Sequence, residues 1–175
     1  MESNYYIEFI SILLNCFLIL YFGIVLYFDL LIRKIFNKLI LIGMIFGLIY
    51  GTWMNGIAST VLGGVIGFSL MFIVYLLGNI LMPSIAKWRN LTLRKKAIYR
   101  NDVLLGLISG LILGFGLIDS GLFISLLFFC FVGLIYIPYK IIKKEYSPDL
   151  SLPVSPFIIT GSLFVLFYPV FQKII

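Results

Sequence analysis

Apolar stretches close to a bilayer's width recur six times along this 175-residue chain, with only short polar joints between them. A helix needs about 20 mostly apolar residues to cross the hydrocarbon core. The runs fall at roughly 9 to 28, 39 to 54, 58 to 82, 103 to 118, 120 to 139 and 153 to 171. They predict an all-α polytopic membrane protein of six transmembrane helices, a single membrane-embedded unit over residues 1–175. Composition agrees: 62% of residues are hydrophobic and 11% charged, with a mean hydropathy of +1.16. The first run lacks the basic flank and small-residue cleavage site of a signal peptide, so it is expected to stay in the mature protein.

Basic residues are retained on the cytoplasmic side of short loops. Arg33, Lys34 and Lys38 lie between the first two runs, and Lys87, Arg89, Arg94, Lys95, Lys96 and Arg100 between the third and fourth. Lys140, Lys143 and Lys144 follow the fifth, leaving only Lys173 elsewhere. Six spans put those three joints on one side when both termini are outside. The longest joint, 83–101, reads as a basic cytosolic loop that contacts lipid or shapes a substrate entrance. The net charge of +6 then points to anionic lipid headgroups. Nucleic-acid binding is not expected, because no soluble basic surface carries groove-reading elements.

The chain has no histidine and two cysteines, Cys16 and Cys130, both within apolar runs. These cannot make a Cys/His metal site or a histidine-assisted nucleophile. They read as small buried apolar residues. Carboxylate chemistry is what remains. Of the seven acidic residues, Asp29 ends the first run and Asp102 begins the fourth, both at the cytosolic level. Asn101 or Asp102 could be a helix N-cap. Asp29 faces the negative end of its own helix, which offers it nothing; if the helix continues, Arg33 is its ion-pair partner four residues on.

Gly106, Gly110 and Gly114 follow Asp102 at four-residue steps, Gly43, Gly47 and Gly51 mark the second run, and Gly63 and Gly67 the third. Small residues at that spacing let helix backbones approach in lipid, which would turn Asp102 inward. Two carboxylates in a partly dry site tend to share one proton. The ionised member can activate water against a peptide carbonyl while the protonated member donates to the oxyanion. At the cytosolic membrane edge, such a pair suits removal of a basic leader from in front of an apolar helix.

The residues resemble the type IV prepilin peptidases, including preflagellin peptidases and the short Flp/Tad-type forms. Asp29-Leu-Leu-Ile-Arg-Lys-Ile-Phe-Asn-Lys-Leu looks like the family's first motif, with Asp29, Arg33, Ile35, Asn37 and Leu39 in place and Phe36 where proline is usual. Asp102 followed by Gly106, Gly110 and Gly114 resembles the second, with Tyr99-Arg100-Asn101 standing in place of its Gly-x-Gly and Leu104 in place of a lysine. Pro153-Val154-Ser155-Pro156-Phe157 resembles the entry to the family's last helix. The resemblance implies an inner-membrane aspartic endopeptidase acting on prepilin-like substrates. Its catalytic pair would be Asp29 and Asp102, with Arg33, Asn37, Arg100 and Gly106 supporting the site or the substrate, and no metal or cofactor. The N-methyltransferase activity of larger members is not expected, since the cysteines of their extra domain are missing. Two alternatives stay open: a catalytically inactive scaffold of a pilus or secretion assembly, favoured by the altered second motif, and a small transporter, which would call for charged groups near mid-membrane.

Overall fold

The first helix buries a single face. In α1 (Glu2–Ile32) the buried residues are Leu18, Tyr21, Phe22, Val25 and Asp29. Steps of three and four make these a single stripe, and the rest of the helix presents Phe17, Leu20, Ile24, Tyr27 and Leu31 outward. The computed structural model describes residues 2–32, 35–88, 100–118, 120–121, 124–125 and 154–172. Within them lie α2 (Asn37–Asn55), α3 (Ile57–Trp88), α4 (Arg100–Leu113) and α5 (Ser155–Gln172). Among the described residues every regular element is helical.

Three segments, Tyr5–Ile32, Asn37–Asn55 and Ile57–Leu76, are long and apolar enough to cross a membrane, and Ser155–Tyr168 is a shorter apolar helix. Large apolar side chains cover their outer faces, a surface that fits lipid rather than water. The fifth expected run, 120 to 139, lies mostly outside the described residues, although 120, 121, 124 and 125 are helical.

The fourth run departs from expectation. Helix α4 has 14 residues, a rise of about 21 Å against a hydrocarbon thickness of about 30 Å. It gains Arg100 to Asp102 at its start and stops at Leu113 rather than continuing to 118. Gly114 takes φ +70°, a left-handed conformation that glycine adopts freely, and the Phe115 N–H turns away to the Ser59 carbonyl. Asn55 Nδ2 donates to the Ile112 carbonyl at 3.0 Å, satisfying an oxygen the helix end leaves open.

Despite its shortness α4 is the centre of the bundle, buried on nearly every side from Asp102 to Leu113. The glycines make this close approach. Gly63 and Gly67 of α3 meet Gly110 and Gly106 of α4 backbone to backbone, and Gly47 and Gly51 of α2 face Ile108, Leu111 and Ile112. By contrast α1 and α2 are joined through side chains, with Tyr50 Oη donating to Asn15 Oδ1 at 2.7 Å and Tyr21 Oη to the Leu39 carbonyl at 3.4 Å. One apolar cluster links Leu18, Phe22 and Val25 of α1 to Ile40, Ile108, Ile158 and Ile159.

Two further expectations are corrected. Helix α3 runs through Pro83 to Trp88 and α4 begins at Arg100, so both ends of the expected 83–101 loop are helical and the basic residues between them lie outside the described residues. Cys16 lies on the exposed face of α1, since its position falls off the Leu18–Tyr21–Phe22–Val25 stripe. Cys130 lies outside the described residues.

Candidate active site at the α1, α4 and α5 junction

Asp29 belongs to the buried stripe of α1, which carries the helix's core-facing side to its last turn. Its carboxylate is 6% exposed. Burying a charged group is costly unless it is paired or hydrogen-bonded, and the partner comes from the far end of the sequence: Ser155 Oγ donates to Asp29 Oδ2. Ser155 is wholly buried and is the first residue of α5. The first-turn N–H groups of Phe157 and Ile158 donate to the Val154 carbonyl, and Pro156 sits where its missing N–H costs nothing. Asp29, which faces the negative end of its own helix, thereby meets the positive end of another.

Asp102 is also 6% exposed and lies in the first turn of α4, where the helix dipole favours a negative charge. Because the helix starts at Arg100, Asn101 and Asp102 are helical residues rather than the N-cap. Instead of capping, Asn101 donates through Nδ2 to the Ile35 carbonyl, tying the start of α4 to the joint between α1 and α2. That bond and the Ser155 bond to Asp29 bring the two carboxylates to one end of the bundle. The opposite end is closed by the Asn55 and Ser59 contacts with the end of α4.

The other residues expected at the site are dispersed. Asn37 is exposed at the start of α2 and lines a cleft of about 580 Å³ with Phe28, Ile35, Lys38 and Ile42 among others. Neither Asp29 nor Asp102 lines that cleft. Arg100 is exposed at the start of α4. Gly106 is part of the seam with α3, where a Cβ would lie 2.3 Å from Met71 Cγ. Arg33 lies outside the described residues. Phe36 has φ −73° and ψ 140°, angles that proline also adopts, and its ring packs edge-on to Phe28 at 5.2 Å.

Sequence reasoning gave no role to Ser155, although the Pro153-Val154-Ser155-Pro156 stretch singled out its neighbourhood, and none to Asn101 beyond capping. Among the described residues no three His, Cys, Asp or Glu side chains group closely enough to hold a metal ion. The arrangement offers two carboxylates, each buried in an apolar bundle and each at a helix N-terminus, at the border of three apolar helices. Compared with protein-family models, with curated proteins and with solved structures, the chain matches none.

Proposed function

We propose that the protein is a membrane aspartic endopeptidase that removes short basic leaders from type IV prepilin-like proteins at the cytosolic face. The observation that carries this reading is the burial of Asp29 and Asp102 at one end of the bundle, each facing the positive end of a helix. Carboxylates so withdrawn from water serve acid–base chemistry well. The resemblance of the residues around Asp29 to the prepilin peptidase motif supplies the substrate class. The remaining parts of the proposal are six spans with both termini outside, a multi-pass location in the inner membrane, contact of the basic joints with anionic lipid, and no methyl transfer.

In this mechanism one carboxylate is ionised and the other protonated. Water adds to the scissile carbonyl carbon, giving one proton to the ionised aspartate while the second aspartate's proton passes to the carbonyl oxygen. The C–N bond of the gem-diol then breaks. The amine takes the proton held by the first aspartate, and one hydroxyl returns its proton to the second. Both carboxyl groups end as they began, and no other reactant is consumed.

A second reading draws on Asn101. Where the family has glycine beside the second aspartate, this chain uses the side chain to bind the Ile35 carbonyl, an architectural role compatible with a scaffold that performs no chemistry. Co-expression with leader-bearing pilin-like proteins, read by intact mass, separates the two. The peptidase reading expects leader removal by the wild type and none by Asp29→Asn or Asp102→Asn. A folded wild type that cleaves nothing across a broad panel, together with unchanged pilus or secretion assembly in both variants, supports the scaffold instead.

A further inference from the structure

We infer that Ser155 is a positioning residue that sets the orientation of the Asp29 carboxylate for catalysis. This deepens the peptidase reading and rests on it. The terminal torsion of an aspartate is broad and roughly two-fold, so rotamer preference alone does not fix the carboxylate plane. Apolar neighbours cannot fix it either, since they exert no directional pull on an oxygen. The Ser155 hydroxyl does, by donating to Oδ2 and leaving Oδ1 with a defined direction.

The support behind that hydroxyl is rigid. Ser155 has no exposed surface, and serine has a single side-chain torsion before its hydroxyl. One turn further along α5, Ile158 and Ile159 are buried in the same cluster as Leu18, Phe22 and Val25 of α1. The stripe that carries Asp29 and the helix that carries Ser155 are therefore locked by the same apolar contacts. The hydrogen bond lies at their common end. Reacting groups lose much of their advantage when displaced by as little as 1 Å, so a carboxylate free to rotate would be a poorer proton acceptor for an attacking water.

The test compares wild type, Ser155→Ala, Ser155→Thr and Asp29→Asn in detergent or nanodiscs, with leader cleavage followed at several substrate concentrations. Threonine keeps the hydroxyl, and alanine removes it with little change in volume. The expected result is a loss of about 10- to 100-fold in kcat for Ser155→Ala, with KM within about twofold and most of the rate restored in Ser155→Thr. A second readout is independent of turnover: in protein labelled with 13C at aspartate, the Asp29 carboxyl resonance should move in Ser155→Ala and stay near its wild-type position in Ser155→Thr. Wild-type rates in a folded Ser155→Ala, alongside an inactive Asp29→Asn, overturn the positioning role and leave the peptidase reading intact. An unmoved Asp29 resonance in Ser155→Ala overturns it as well, whatever that variant's stability. Absence of cleavage by folded wild type overturns both.

Discussion

Gly110 and Gly63 approach so closely that a Cβ built on Gly110 would lie 2.1 Å from the Gly63 carbonyl oxygen. The obstacle is backbone, which cannot step aside as a side chain can. Gly110→Ala should therefore cost about 1–3 kcal/mol or more through overpacking. Gly106→Ala should cost somewhat less, because its nearest obstacle, Met71 Cγ at 2.3 Å, is side chain and the nearest backbone atom, the Gly67 oxygen, is at 3.0 Å. Gly23→Ala, with nothing within 4 Å, should be neutral or mildly stabilising. Thermal unfolding of the three variants in one detergent gives the order, and a Gly110→Ala melting as high as Gly23→Ala would show that α3 and α4 do not pack in this register.

Ser109 sits in the middle of α4 with its hydroxyl buried and no hydrogen-bond partner among the described residues. An unsatisfied buried hydroxyl is destabilising, whereas alanine fills nearly the same space. Ser109→Ala is expected to raise stability by about 1 kcal/mol, visible as a higher melting temperature. A fall of similar size would mean that the hydroxyl has a partner in the folded protein.

Phe36 should accept proline. Its φ of −73° suits the pyrrolidine ring, and no backbone hydrogen bond from its N–H is present among the described residues. The gain from a stiffer unfolded chain, about 0.4–1 kcal/mol, is offset by loss of the edge-on contact with Phe28, worth about 0.5–1.5 kcal/mol. Phe36→Pro is accordingly expected to fold with nearly wild-type stability. Failure to recover folded Phe36→Pro from membranes would refute the conformation described for this joint.

Asn101→Gly introduces the residue usual in prepilin peptidases, which the chain resembles here, and removes the donor to the Ile35 carbonyl. Interhelical hydrogen bonds within membranes are worth roughly 0.6 kcal/mol on average, so stability should fall only slightly. Under the peptidase proposal cleavage should fall further, since the lost donor ties the first turn of α4 to the joint between α1 and α2. The informative comparison is the ratio of the two effects: an Asn101→Gly variant cleaving faster than wild type would show that the glycine matters to substrate passage more than Asn101 matters to α4.

Much of this arrangement was legible because its signals are local. The four-residue glycine spacing in the second, third and fourth runs marks the seams around α4, whereas the buried face of α1 left no such mark, since Leu20, Ile24 and Leu31 on its outer side are as apolar as Leu18, Phe22 and Val25 on its inner side. The end of α4 was harder to read, since Gly114 continues a packing stripe and also adopts the left-handed conformation that stops the helix; spacing cannot separate those two uses. Helix α3 outran its expected end because Pro83, ordinarily a breaker, lies within it. The Ser155 bond to Asp29 leaves no local trace at all. It spans 126 residues, and only the packing of α5 on α1 brings its partners together.

That same span imposes a sequence of events on a chain made from its N-terminus. Asp29 leaves the ribosome long before Ser155 exists, so α1 enters the bilayer with a carboxylate at its border whose hydroxyl partner has yet to be synthesised. Until α5 arrives, the hydroxyl that meets it in the folded protein is missing. The junction closes in the last stage of assembly, and a chain halted before residue 155 lacks the hydroxyl that meets Asp29. The last helix made is thus the one that completes the surroundings of the first carboxylate.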